Sequence, residues 1–242
     1  MNIKHLRKTL VEEYPYRIEL HAHTYPASKC SQVTPQHMAE TYKNLGFDGL
    51  VLTNHFFRKE DMSKAEYMDF YMADYEQTRE MGQRLGLKVY LGTEIRFTDD
   101  SNEFLIFGVT RSMLEDIYDL LPYGVENFRA QYKMPDSVFA QAHPMRTRGN
   151  SQPVAPELLD GVEVFNTHPY HDGRIGLVAL YAQENKMEII TAGSDFHHPD
   201  HNHEGLSAMR TACLPEDSFG LAAILKEKNY LLEVGRGTII IP

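Results

Sequence analysis

Two histidines flank a single residue in the stretch Ile18-Glu19-Leu20-His21-Ala22-His23-Thr24. In a strand, residues i and i+2 point to the same face, so His21 and His23 aim two imidazoles at one spot. That is the geometry of a metal-ligand pair, although a lone His-x-His is more often structural. It gains weight because a strand followed by an acid or an imidazole recurs along the chain. His55 closes Val51-Leu52-Thr53-Asn54-His55, and Glu94 closes Tyr90-Leu91-Gly92-Thr93-Glu94. His143 follows Phe139-Ala140-Gln141-Ala142. Asp195 and His197 end Ile190-Thr191-Ala192-Gly193-Ser194-Asp195-Phe196-His197 and repeat the i, i+2 spacing.

Imidazoles mixed with carboxylates suit zinc, iron or manganese, whereas all-oxygen sites suit magnesium or calcium. His21, His23, His55, Glu94, His143, Asp195 and His197 are more donors than one tetrahedral zinc takes. Two or three divalent ions (Zn, Mn or Fe) are therefore expected, with Glu94 or Asp195 bridging. Metals roughly 3.5–4 Å apart clamp the attacking and leaving oxygens of a phosphoryl displacement, and they lower the pKa of bound water to about 7. Metal-bound water is then the expected nucleophile, with no separate side-chain nucleophile.

Arg96 shares the face of Glu94 if that strand continues, and Arg146 and Arg148 follow His143. Guanidinium binds phosphate oxygens in a two-point fork, so these three are candidate phosphate clamps. His168, in Thr167-His168-Pro169-Tyr170-His171-Asp172, is a candidate substrate contact or a loop residue. His198, His201 and His203 fall in a polar run that reads as a solvated loop. Cys30 reads as a small semi-buried residue or as an additional thiolate ligand. Cys213 reads as core.

The elements that must position these groups alternate in type. Strands are expected at Arg17–Leu20, Gly49–Thr53, Lys88–Leu91, Phe104–Val109, Val138–Ala142, Val162–Phe165 and Glu188–Thr191, with Thr238–Ile241 closing the set. Thr34-Pro35 opens a helix to about Leu45, with proline at its first position. Ser63 to Glu66 fits a capping box for a long helix to about Leu85, and Ser112 to Glu115 fits another for a helix to Leu121. Ile175–Asn185 and Phe219–Lys228 read as further helices. Strands alternating with helices imply a mainly parallel sheet. Seven or eight strands favour a barrel, whose strand C-termini converge on one face.

The chain has 242 residues, and α/β barrels of roughly 200–250 residues form one unit. Residues 1–242 are therefore expected to form one domain. No apolar run approaches the ~18 residues of a membrane span. The N-terminus carries no signal-peptide pattern. Two cysteines make no disulfide framework, so a soluble cytoplasmic protein is the default. A net charge of −10 argues against stable nucleic-acid binding. It is compatible with an anionic small molecule, because bound cations reverse the local sign.

The motifs His21-Ala22-His23-Thr24, Leu52-Thr53-Asn54-His55, Gly92-Thr93-Glu94, Ala142-His143-Pro144, Glu163-Val164-Phe165-Asn166 and Gly193-Ser194-Asp195-Phe196-His197 resemble those of the PHP family, the polymerase and histidinol phosphatase domain. The match runs in the family's order from about residue 17 to 205. The resemblance implies a distorted (β/α)7 barrel, a two- or three-metal site and phosphoesterase chemistry on a small phosphorylated substrate, a phosphomonoester or nucleotide. Histidinol phosphate is one such substrate. Three positions depart from the family. Ser28-Lys29-Cys30-Ser31 stands where an Asp is usual, and Asn54 replaces the Asp of Thr-Asp-His. Glu103 stands where many members have a histidine, which makes it a further candidate ligand. Two other readings share the barrel and its metals: a weakly catalytic or non-catalytic module acting with replication or repair partners, and an amidohydrolase-like hydrolase cutting C–N bonds.

Overall fold

The computed structural model describes residues 2–98, 100–235 and 237–242. Helix α1 (Ile3–Glu13) precedes β1 (Tyr16–Glu19), α2 (Pro35–Asn44), β2 (Gly49–Leu52), the short β3 (His55–Phe56) and α3 (Lys64–Leu85). Next come β4 (Lys88–Arg96), β5 (Glu103–Phe107), α4 (Arg111–Leu120), α5 (Gly124–Gln131), β6 (Val138–Gln141) and β7 (Gly161–Asn166). The chain ends with α6 (Ile175–Glu184), β8 (Ile189–Gly193), β9 (Ala208–Thr211), α7 (Ser218–Glu227), β10 (Leu231–Val234) and β11 (Thr238–Ile240).

The strands lie in the order β11-β10-β9-β1-β2-β4-β5-β6-β7-β8. The seven from β1 through β8 on this path form a curled arc. Just past the strands, Ala22 bridges Phe196 in parallel, His23 N–H donates to Phe196 O at 3.0 Å, and Phe196 N–H donates to His21 O at 3.3 Å. Those bonds close the arc into a distorted α/β barrel at the end where β1, β2, β4, β6, β7 and β8 terminate. That end is the mouth.

The sheet departs from the parallel expectation. β5 runs antiparallel to both β4 and β6, and β9 antiparallel to β1 and β10. β4 also continues to Arg96 rather than stopping at Leu91. It gains β3 and β5 as partners beyond Leu91, so its backbone groups stay paired.

Local signals explain most helix starts. Ser63 and Glu66 form a reciprocal capping box for α3, and Gly86 ends it in the left-handed region. Thr34 caps α2 with Pro35 at its first position. The expected box at Ser112 does not form. Thr110 caps α4 instead, accepting from Met113 N–H at 3.2 Å, while Glu115 pairs with Arg111 at 3.2 Å. Helices α1 and α5 and strands β3, β9 and β10 are additional to the sequence expectation. Cys213 is exposed in the turn after β9, not in the core.

The core is apolar along the strands, with Ile18, Leu20, Val51, Leu105, Phe107, Val138 and Met209 buried together. A second group, including Tyr67, Tyr71, Phe104, Phe128 and Phe139, fills the space between α3, α4, α5 and the sheet. Backbones approach closely near the mouth. A side chain at Gly193 would collide with the Glu163 carboxylate and with His21 Cβ, so only glycine fits.

Candidate metal centre

All seven expected donors meet at the mouth. His21, at the end of β1, faces Glu94 Oε1 at 3.3 Å and Asp195 Oδ1 at 3.5 Å through Nε2. His23 Nε2 faces Asp195 Oδ1 at 3.3 Å and Glu94 Oε2 at 3.5 Å. His55 Nδ1 lies 2.7 Å from Glu94 Oε2, and His143 Nε2 lies 3.0 Å from Glu94 Oε1. His197 Nδ1 lies 3.2 Å from Asp195 Oδ1. Glu94 thus meets four imidazoles from three places in the chain: two after β1, one at the start of β3 and one after β6. Donor groups that lie within 4.8 Å of one another, and so could hold a cation, include His21–His23–Asp195, His21–Glu94–His143 and His23–His55–His197.

The donor set fits divalent cations. His21 Nε2 and His23 Nε2 are buried with no hydrogen-bond partner among the described residues. His21 Nδ1 donates to Glu163 Oε1 at 2.8 Å, so Nε2 is the nitrogen turned toward the Glu94 and Asp195 carboxylates. His197 Nδ1 likewise donates a hydrogen bond, to the backbone Asp195 O at 2.8 Å. Imidazole nitrogens and carboxylate oxygens converging in a buried site are compensated by a cation held among them, a proton or a metal ion. The electrostatics agree. Burial opposes the charged form of Glu94, yet His21 and His55 hold its carboxyl well below the usual range. Burial also opposes charge on Asp195, and His21 and His197 hold it well below as well. Burial disfavours charge on His21, but Glu163, Asp195 and Glu94 push it well above the ordinary value. A field that draws a proton to His21 draws a metal ion equally.

Supporting residues fix the donors, and several carried no role in the sequence reading. Glu163, on β7, accepts from His21 Nδ1 through one oxygen and from His143 N–H at 3.1 Å and Asn166 Nδ2 at 2.9 Å through the other. A carboxylate behind a histidine in this way orients the ring and raises its basicity. Asn166 also donates to Asp195 Oδ2 at 3.3 Å. Glu19, fully buried, accepts the backbone N–H groups of Leu20, His21 and Ser194 and the hydroxyl of Tyr42, tying β1 to β8 behind the site. Its spacing two residues before His21 was the available signal. Asp195 and His143 sit at positive φ, 51° and 28°. Such conformations cost of order 1–3 kcal/mol and persist where the surroundings over-determine them.

The departures from the family pattern have structural answers. Asn54 does not reach the donors. Its Oδ1 accepts from Thr24 N–H at 2.7 Å and Ser28 Oγ at 3.0 Å, clamping the loop after β1. Asp74, from α3, completes the clamp by accepting from Thr24 Oγ1 at 2.9 Å and Ala27 N–H at 3.0 Å. Glu103 does reach the site, 3.8 Å from His55 and 3.7 Å from His143, and it accepts from Arg146 Nη2 at 2.8 Å. Cys30 is exposed at the rim. Burial raises its thiol, but hydrogen bonds with His197 and His55 outweigh that and bring it down to about 6.

A cavity of about 280 Å³ opens over the cluster, lined by Cys30, His55, Glu103, Arg146, Arg148 and His168 among others. A larger groove of about 740 Å³ lies at the opposite end of the strands, near Lys88 and Asp217. Among the described residues it holds no donor cluster. Arg148 is exposed at the cavity edge, whereas Arg146 is engaged by Glu103, and Arg96 lies 3.9 Å from Glu103 Oε1. His168 is buried and accepts Tyr170 N–H on Nδ1 at 3.2 Å, so its Nε2 carries the proton and is a donor. His201 is buried rather than solvated. Phe196 and His168 pack edge-on against it, at 5.0 and 5.1 Å between ring centres.

No protein-family model matches the chain, and no curated protein does. Solved structures do. A two-domain protein of Bacteroides vulgatus that contains a predicted PHP-like metal-dependent phosphoesterase superimposes with a TM-score of 0.64 at 15% identity. The match covers 91% of this chain and 65% of that one, so the chain spans less than two-thirds of that protein's length. PsfC from Pseudomonas syringae superimposes with a TM-score of 0.54 at 12% identity, over 94% of this chain and 91% of that one. At such identities the likeness is one of fold alone, a distorted α/β barrel shared with these two proteins. No helix among the described residues is long and apolar enough to cross a membrane.

Proposed function

We propose that the chain is a PHP-family phosphoesterase that hydrolyses a small phosphorylated substrate, a phosphomonoester or nucleotide, at a centre of two or more divalent cations. The observation that carries this reading is the convergence of five imidazoles and two carboxylates beneath a cavity, with His21 Nε2 and His23 Nε2 buried and without a hydrogen-bond partner among the described residues. His21, His23, Glu94 and Asp195 would hold one cation. His55, His143, His197 and Glu103 extend the donor set, with Glu94 shared. Bound divalent ions would stabilise charge on the phosphoryl oxygens and lower the pKa of water.

The chain's own residues do the rest. Glu163 holds His21 with its proton on Nδ1, and Asn166 steadies the Asp195 carboxylate. Arg148 offers an exposed guanidinium to the phosphate, and His168 Nε2 offers a neutral donor beside Asp195 and His197. The cavity of about 280 Å³ supports a small organic phosphate as the substrate.

The test is turnover of a broad panel of phosphomonoesters, nucleotides and short oligonucleotides by protein loaded with zinc, manganese or iron, with bound metal measured in parallel. Hydrolysis that vanishes in His21→Ala, with metal lost and far-UV circular dichroism retained, supports the reading. Metal-loaded protein that cleaves none of them overturns it, and cleavage of amides instead would move the chain to C–N bond hydrolysis.

A further inference from the structure

One cation already stands among the donors, and it belongs to the chain. Arg146 Nη2 donates to Glu103 Oε2 at 2.8 Å, and its Nη1 lies 3.3 Å from His143 Nε2. Those two acceptor-side atoms, a carboxylate oxygen and an imidazole nitrogen, are 3.7 Å apart. They are the kinds of atom that a divalent cation takes. The guanidinium thus lies across two residues of the donor set. Its place is built. Arg146 N–H donates to His143 O at 3.1 Å, so a tight turn returns the side chain to the histidine that begins it. Gly149, at a φ of 93°, passes beside the guanidinium, and a Cβ there would lie 3.4 Å from Nη2 and 3.6 Å from Nε. The Arg146 side chain is only 18% exposed.

A guanidinium is charged at any working pH and has only donors, so it neutralises a carboxylate but cannot accept a proton or ligate a metal. Glu103 is a further anion beside Glu94 and Asp195, and Arg146 is its close counter-charge. Arg96 stands 3.9 Å from the other Glu103 oxygen, but it is 45% exposed and its charge is screened by water. A divalent ion placed between Glu103 and His143 would meet the guanidinium at close range, and like charges so near are costly in a buried site. We propose that Arg146 fills the cation place between Glu103 and His143, so that the centre takes one metal ion fewer than its donors could hold. The ions that bind are then those held by His21, His23, Glu94 and Asp195 and by the cluster around His55 and His197. Arg146 supplies a fixed positive charge that needs no loading. The inference rests on the metal-dependent reading of the mouth, and not on which bond is cleaved there.

Counting metal tests it without any substrate. Wild type, Arg146→Ala and the double variant Arg146→Ala, Glu103→Ala are stripped with a chelator, reloaded with excess zinc or manganese, desalted and assayed for metal per chain by mass spectrometry. Arg146→Ala is expected to hold about one equivalent more than wild type, since the freed carboxylate and imidazole become ligands. The double variant is expected to return to the wild-type count. An Arg146→Ala protein with unaltered far-UV circular dichroism and the wild-type count overturns the proposal, and so does an extra ion that survives the loss of Glu103. If Arg146→Ala does not fold, Arg146→Gln removes the charge while keeping a polar side chain, and the same counts decide. An extra ion in the variant of a protein that cleaves no ester keeps the inference and sinks the phosphoesterase reading. Hydrolysis by wild type with an unchanged count in Arg146→Ala does the reverse. Wild type that retains no metal overturns both.

Discussion

Strands β4 and β5 bring carboxylates to the same mouth from opposite directions. β4 arrives from the far end of the barrel and presents Glu94 near its last residues. β5 starts at the mouth, so its first residue, Glu103, is the one presented, paired in register with Arg96. The two acids nevertheless differ in surroundings. Glu94 is enclosed by His21, His23, His55 and His143, at 2.7–3.5 Å. Glu103 stands further from the imidazoles and already has a cation, the Arg146 guanidinium at 2.8 Å. An acid already paired with a guanidinium, which cannot ligate a metal, is less dependent on one than an acid surrounded by imidazoles, which are themselves metal ligands. Glu94 is therefore the hinge of the centre and Glu103 its edge.

The largest effect should expose that difference. Glu94→Gln keeps shape and removes charge, and should lower hydrolysis at least about 10³-fold, a barrier increase of roughly 4 kcal/mol. Asp195→Ala should do the same. Glu103→Gln should cost only about tenfold, near 1.4 kcal/mol. Steady-state kinetics with bound metal quantified for each variant would decide it. Equal losses at both positions would mean that Glu103 is as central as Glu94.

The next effect sharpens the comparison from behind the donors. Glu163→Gln should weaken metal affinity by about 10–100-fold, because the His21 ring would lose its carboxylate partner and its fixed tautomer. Competition with a chromogenic chelator measures this without any substrate. An affinity within twofold of wild type would show that Glu163 only packs.

The same contrast explains what could be read in advance. On the parallel strands, chemistry follows the last residue. An acid or imidazole after an apolar run was enough to place His21, His23, His55, His143, Asp195 and His197 at one face. An antiparallel strand reverses that rule, and the alternation of apolar residues does not reveal strand direction. Glu103 was visible only through the family pattern. Glu163 sits inside a strand, and nothing in its spacing distinguishes a ligand-orienting acid from a ligand. β9 and β10 lie beside β1 and were missed because Ala208-Met209-Arg210-Thr211 and Leu231-Leu232-Glu233-Val234 are short and carry charges. Arg210 and Glu233 are buried as an ion pair, at 2.5 Å, and a paired charge inside a strand disguises it as a loop. His201 read as solvent-facing because its neighbours are polar. Its burial comes from the fold bringing Phe196 and His168 against it.

A smaller effect separates the clamp from the centre. Asp74 touches no donor, yet holds Thr24 and Ala27 in the loop that follows His23. Asp74→Ala should cost about 2 kcal/mol of stability, because a buried hydroxyl and a buried N–H lose their acceptor. Asp74→Asn keeps an acceptor and should cost less. Burial raises the Asp74 carboxyl above its ordinary 3.8. Its favourable contribution is therefore complete below the unfolded value and is lost as pH rises through the folded one. Asparagine has no such slope, so the stability advantage of wild type over Asp74→Asn should shrink as pH rises from about 4. Urea unfolding of both proteins at a series of pH values tests this. A difference that grows with pH would refute the assignment.

The smallest effect isolates strain at one donor. Glu94 and Glu103 lie in extended strand, where any side chain is comfortable. Asp195 follows β8 at a φ of 51°, a left-handed conformation. Asp195→Ala and Asp195→Gly remove the same carboxylate and differ only in keeping or losing Cβ. Left-handed backbone costs an ordinary L-residue about 1–2 kcal/mol, and glycine almost nothing. Asp195→Gly should therefore be more stable than Asp195→Ala by about 1 kcal/mol, a few degrees in Tm for a chain of this length. Neither should recover metal binding. Aspartate tolerates this conformation better than alanine does, so the position suits a residue that both bends the chain and supplies an anion. If the alanine variant melted at or above the glycine variant, Asp195 would be an unstrained donor like Glu94, and the distinction between strand-borne and turn-borne acids at this mouth would fall.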